Sequence, residues 1–105
     1  MNSIVAKLVA AAVIVSSAAP ALAAEVDRRE ANQQARIADG VRSGQLTPGE
    51  TARLERKEAR IQRQIQSERA ANGGHLTPAE RRQINREQDR VSRQIYRAKH
   101  NGNHM

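Results

Sequence analysis

Two stretches of the chain, thirty residues apart, carry nearly the same text. Gly44-Gln45-Leu46-Thr47-Pro48-Gly49-Glu50 aligns with Gly74-His75-Leu76-Thr77-Pro78-Ala79-Glu80. The register holds downstream: Leu54 falls on Ile84, Arg56 on Arg86, Arg60 on Arg90 and Ile61 on Val91. Arg63-Gln64-Ile65 then falls on Arg93-Gln94-Ile95, so the units span 44–65 and 74–95. A unit used twice predicts a pair of similar helices, not a solenoid.

The shared Thr-Pro-x-Glu is a helix start. Thr47 and Thr77 are N-caps whose hydroxyls accept from a free N–H of the first turn. Pro48 and Pro78 sit at the first helical position, where the missing N–H costs nothing. Glu50 and Glu80 reach back to close a capping box and suit the positive end of the helix. Gly44 and the Gly73-Gly74 pair mark the breaks before each cap. Three helices are expected: from about Glu25 to Arg42, from Pro48 to about Ala71, and from Pro78 to about Lys99. No stretch alternates with period two, so no strand is expected. At ~1.5 Å per residue the second helix is about 36 Å long. Short loops favour antiparallel neighbours. The expected fold is all-α, an elongated antiparallel helical hairpin with the N-terminal helix packed along it.

The apolar positions carry the same message. Leu54, Ile61 and Ile65 share one side of the second helix. Ile84, Val91 and Ile95 share one side of the third, with Ala98 extending the line. Spacings of seven and four make a narrow seam, closer to a coiled coil than to a broad globular face. The first helix offers Val26, Ile37 and Val41, helped by Ala31, Ala35 and Ala38. Leu46 and Leu76 precede their caps, where a hydrophobic staple packs back.

Residues 1–23 read as an export signal. Lys7 gives the positive start, Leu8 to Val15 is an unbroken apolar run, and Ser16-Ser17-Ala18-Ala19-Pro20 is expected to break any helix. Ala21-Leu22-Ala23 supplies the small-x-small cleavage pattern, with the cut before Ala24. The run is too short for a membrane span, which needs roughly 20 apolar residues. This places a chain that is not transmembrane in the periplasm or outside the cell, with a helical domain over 24–100 and a flexible tail over 101–105. The chain has no cysteine, which removes disulfides, thiol catalysis, thiolate metal sites and a lipid-bearing cysteine.

After residue 23 the net charge is +6, and 15 of the 17 basic residues are Arg. Leu, Ile and Val number 11 there, well below the ~20% of a well-cored domain. So sparse a core predicts marginal stability for one chain, or a weak symmetric homodimer that covers Leu54, Ile61 and Ile65 from both sides.

The charge is uneven: residues 25–42 sum to zero, 47–70 to +2 and 75–100 to +4. At 100° per residue Arg82, Arg86, Arg90, Arg93 and Arg97 fall within about 80° of arc, opposite Ile84, Val91 and Ile95. Arg56, Arg60 and Arg63 repeat the pattern on the second helix. Such rows suit carboxylates and phosphates, Arg being favoured for forked contacts. The candidate partners are acidic or unfolded protein clients, or an anionic envelope surface. Nucleic acid is not expected, since Tyr96 is the only aromatic residue and no base-stacking platform exists.

Other chemistry is thinner. Asp39 to Glu50 has the length of a calcium loop, with Gly44, Leu46 and Glu50 at suitable places, but Val41 and Ser43 stand where oxygen ligands belong. The parallel window begins with Arg69, and a loop followed by a capped helix explains the same letters. His100 and His104, beside Met105, offer a loose zinc or copper site on the tail. That is the alternative reading, a metal-responsive envelope protein. His75 belongs beside the turn before the third helix. Ser43, Thr51, Ser67 and Ser92 have no evident His and carboxylate around them, and Glu50 and Glu80 are engaged as caps. The expectation is a protein that is not an enzyme and calls for no cofactor.

The paired Gly-x-Leu-Thr-x-x-Glu units, with Val91-Ser92-Arg93-Gln94-Ile95-Tyr96 and Lys99-His100-Asn101, resemble an uncharacterised group of small exported bacterial helical proteins. That resemblance covers roughly residues 24–101 and implies export and helices. Leu46-Thr47 and Leu76-Thr77 are also similar to the LTxxQ periplasmic family of Spy and CpxP. That similarity implies a helical, basic, often dimeric protein tied to envelope stress and chaperoning. Glu50 and Glu80 stand where that family has Gln, so the likeness is one of architecture.

Overall fold

The computed structural model describes residues 18–102, with side chains from Ala24 onward. The signal run Leu8 to Val15, Lys7, His104 and Met105 lie outside the described residues. Three helices are present: α1 (Ala18–Ser43), α2 (Pro48–Ala71) and α3 (Pro78–Lys99), with no strand among the described residues. The bounds of α2 and α3 are those the caps predicted. Helix α1 begins at Ala18 rather than at Glu25, and the expected break does not hold over Ala18–Pro20. Pro20 lies within α1.

Both capping boxes form. Glu50 N donates to Thr47 Oγ1 at 3.1 Å and Thr47 N donates to Glu50 Oε1 at 3.0 Å. At the second start the matching distances are 3.1 and 2.9 Å. Glu80 Oε1 also accepts from Asn72 Nδ2 at 2.9 Å, which ties the end of α2 to the start of α3.

Helices α1 and α3 run parallel, and α2 runs antiparallel to both. Asp27 meets Arg69 and Glu30 meets Gln62 as one chain rises and the other falls. Arg29, Arg36 and Asp39 meet Asn85, Ser92 and Lys99 in step. The result is a slender three-helix bundle of 55 × 29 × 19 Å.

Each helix buries positions spaced alternately four and three, the coiled-coil period. They are Val26, Glu30, Gln33, Ile37 and Gly40 on α1; Leu54, Glu58, Ile61 and Ile65 on α2; and Ile84, Gln88, Val91 and Ile95 on α3. Leu46 is buried with them, and Leu76 and Ala98 pack at the edge. The seams of α2 and α3 therefore close against each other and against α1 within one chain. The expected face of α1 holds at Val26 and Ile37 and is corrected elsewhere. Ala31, Ala35 and Ala38 are exposed and Val41 is 49% exposed, because the packed stripe runs through Glu30, Gln33 and Gly40 instead.

Gly40 is small for a reason. A Cβ there would lie 2.6 Å from Leu46 Cγ and Cδ1, so Leu46 folds back over the end of α1. Gly44 has φ 77, which only glycine adopts freely. It lets Gly44 N and Leu46 N reach the carbonyls of Val41 and Gly40, at 3.2 and 3.0 Å.

Candidate anion-binding groove

The basic residues divide according to the side of the bundle they face. Toward α1 they are paired. Arg29 meets Asp89, Arg69 meets Asp27 at 3.1 Å, and Lys99 meets Asp39 at 3.4 Å and the Arg36 carbonyl at 3.3 Å. Arg36 donates to the hydroxyl and carbonyl of Ser92, at 2.7 and 3.1 Å. On the side away from α1, a groove runs between α2 and α3. It consists of two hollows, about 280 and 120 Å³, that share Lys57 and Gln94. Arg53, Lys57 and Arg60 stand on its α2 wall and Arg90 and Arg97 on its α3 wall. Leu54, Ile61, Val91 and Ala98 form the floor.

None of those five cations makes a side-chain hydrogen bond or an ion pair with a described residue. The groove's carboxylates are Glu50 and Glu87. Glu50 is engaged by its cap and by Asn101 Nδ2 at 2.8 Å. Glu87 Oε2 is buried and accepts no hydrogen bond, and the same holds for Gln94 Oε1. The groove thus carries an excess of three positive charges, while the two orphaned acceptors are buried away from solvent.

The eight arginines expected to bind anions are all exposed. Arg60, Arg90 and Arg97 line the groove; Arg56, Arg63, Arg82, Arg86 and Arg93 do not. Arg93 borders another hollow, with Arg36, Ser92, Tyr96 and Arg97, and Arg86 donates to Gln83 Oε1 at 2.8 Å. Arg53 and Lys57 were missed. Their signal is their place on the flank of the α2 seam, one residue before Leu54 and one before Glu58.

Sequence reasoning also missed a buried polar layer at mid-bundle. Gln33 Nε2 donates to the Gln88 carbonyl at 2.7 Å. Gln88 Nε2 donates to the Val26 carbonyl at 3.2 Å and to Glu30 Oε1 at 2.9 Å. Gln62 Nε2 donates to Glu30 Oε2 at 3.2 Å. Glu58 is fully buried, and neither of its oxygens accepts a hydrogen bond. Burial pushes its carboxyl up to about 9, helped by a hydrogen bond to Glu30 and by the negative charges of Glu30 and Glu55. Glu58 is therefore protonated at neutral pH. A bare carboxylate there would be costly. Glu58 and Gln88 are the repeat counterparts of each other, so one position holds a neutral acid in α2 and an amide in α3.

Metal-binding parts are scattered. Among the described residues no group of three or more His, Cys, Asp or Glu could hold a metal ion. His100 Nδ1 lies 2.7 Å from the Tyr96 carbonyl, and the two rings stack with centroids 4.1 Å apart. Asp39, the first residue of the calcium-like window, is engaged by Lys99 and by Arg42, at 3.4 and 3.9 Å. His75 is exposed beside the turn before α3. No described helix is long and apolar enough to cross a membrane. Fold and site together define a basic, all-α three-helix bundle with an open groove. Comparison with family models, with curated proteins and with solved structures finds no match.

Proposed function

We propose that the protein is a non-enzymatic exported binding protein that holds acidic or partly unfolded protein clients on its basic helical surface. The observation that carries the reading is the α2–α3 groove, where five cations without a hydrogen-bond or ion-pair partner among the described residues stand over an apolar floor. Cations left unpaired in a concavity raise the local concentration of anions and speed their capture. The export signal read from residues 1–23 places this work in the periplasm or outside the cell, and the architectural likeness to the LTxxQ family suggests a chaperone-like role in envelope stress.

The test is the thermal aggregation of an acidic model client, followed by light scattering. A several-fold molar excess of the protein should suppress scattering at low salt. At ~1 M salt, where the screening length falls to about 3 Å, protection should fade. Scattering unchanged at low salt would exclude the reading.

A further inference from the structure

In the closed bundle the groove offers a client charge and little else, since Leu54, Ile61 and Val91 are at most 5% exposed beneath the cations. A partly unfolded client, by contrast, has apolar side chains to cover. We propose, resting on the binding reading above, that helix α1 is a displaceable strap: it swings off the hairpin, and an amphipathic helical segment of a client takes its place on the apolar seam of α2 and α3.

The hold on α1 is the weakest in the bundle. It gives the core Val26 and Ile37, whereas α2 gives Leu54, Ile61 and Ile65 and α3 gives Ile84, Val91 and Ile95. Between its two aliphatic contacts α1 buries Glu30 and Gln33 instead. That layer leaves Gln33 Oε1, both Glu58 oxygens and Gln88 Oε1 without a hydrogen bond. Acceptors buried in this way cost free energy until water reaches them, so the layer favours opening. The ion pairs that fasten α1 lie at the rim: the carboxylates of Asp89, Asp27 and Asp39 are 55%, 61% and 63% exposed, and such pairs stabilise little. Residues 44–47 join α1 to α2, and Gly44, at φ 77, supplies a pivot of the kind that absorbs a hinge motion.

Helix α1 also defines what would replace it. With the strap away, the hairpin bares a seam of aliphatic side chains at coiled-coil spacing, which a third helix completes and a strand does not. Arg69 and Lys99 border that seam, and α1 answers them with Asp27 and Asp39. The amides of Gln62 and Gln88 reach into it, and α1 answers them with Glu30. The occupant is therefore a helix with an aliphatic stripe and carboxylates beside it. From Val26 to Ile37 the rise is about 16 Å, so three to four helical turns suffice.

The probe is a fluorescent, end-capped peptide with the sequence of residues 24–43, whose four acids and four bases cancel, so the protein's positive field does not attract it. The whole protein is titrated with it and binding is read by anisotropy. Ile37→Ala in the protein weakens the strap and should tighten the peptide at least about tenfold, because apparent affinity follows the open fraction. The milder Ile37→Val should tighten it about threefold. The chain has no cysteine, so Arg36→Cys with Ser92→Cys, joined by a short bis-maleimide, pins α1 to α3 where those side chains touch. Pinning should abolish peptide binding and most of the protection of an unfolded client; capping the two thiols separately should restore both. Hydrogen exchange in the parent should run at least about tenfold faster in α1 than at the α2–α3 seam. Equal protection in all three helices would overturn the proposal. So would a peptide that binds the parent, Ile37→Ala and the pinned protein alike, or a dimer that fills the seam with α1 of a second copy and excludes the peptide. If the pinned protein protects clients as the parent does, the strap falls and the binding reading stands. If neither the parent nor Ile37→Ala protects any client, both fall.

Discussion

Along the α1–α3 seam Arg29 meets Asp89 and Lys99 meets Asp39, whereas along the α2–α3 groove Arg53, Lys57, Arg60, Arg90 and Arg97 pair with no carboxylate among the described residues. The two surfaces share helix α3 and face opposite ways. The difference comes from α1, whose acids equal its bases over 25–42. Asp27 and Asp39 neutralise cations of α2 and α3, and Glu30 accepts from Gln62 and Gln88. Among the described residues the hairpin has no such neighbour on its other side, so its surplus remains there. Charge on this protein is structural where α1 lies and unspent where it does not.

The largest effect that separates the surfaces lies beneath them. Ile84 is fully buried where the helices meet, and Ile84→Ala should cost about 2–5 kcal/mol. Arg53→Ala should change stability by no more than about 0.5 kcal/mol. Urea melts that moved alike in both variants would erase the distinction between core and groove.

The next effect depends on pH. Glu58 has its carboxyl raised to about 9 from an ordinary 4.5. Its folded form holds a proton that the unfolded chain releases, so its contribution is fully present below pH 4.5. It is lost as pH rises through about 9, with a slope of up to about 1.4 kcal/mol per pH unit between those values. Glu58→Gln should flatten that part of the stability profile, and Arg53→Gln should not. A Glu58→Gln profile that parallels the parent from pH 5 to 9 would mean that the buried acid is ionised.

Smaller effects come from the helix starts that set the register of both surfaces. Thr47→Ala and Thr77→Ala should each cost about 1 kcal/mol, read as a lower melting temperature; melts that overlay the parent would show the boxes contribute nothing. Smallest of all is the exposed pair on the α1 side. Asp89→Asn should cost about 0.2–1 kcal/mol, and the difference should shrink in high salt. A loss that persists in high salt would show that packing around Arg29, not its charge, holds that seam.

The hairpin was legible because its signals are local. Thr47-Pro48 and Thr77-Pro78 carry their caps within four residues, and Leu54, Ile61, Ile84 and Val91 are apolar letters at coiled-coil spacing. Helix α1 was legible only in part: Val26 and Ile37 are in the core as expected, but the packed stripe also passes through Glu30, Gln33 and Gly40, where apolarity pointed to Val41 and three alanines instead. Pro20 was read as a breaker, yet it lies within α1. The groove was half legible for a geometric reason. The arc opposite an apolar seam is the outward face, and that arc holds Arg56, Arg63 and Arg93. A groove between two helices is lined by residues beside the seam, which is where Arg53 and Lys57 lie.

The neutral acid at mid-bundle also has a calorimetric consequence. Unfolding at pH 7 exposes Glu58 to water, where it ionises, so each molecule gives about one proton to the buffer as it melts. The measured enthalpy then contains the buffer's heat of protonation, and runs in phosphate and in Tris at the same pH should differ by about the gap between the two. A small protein that shows only heat in one buffer would reveal, in two, the hydrogen ion held by Glu58.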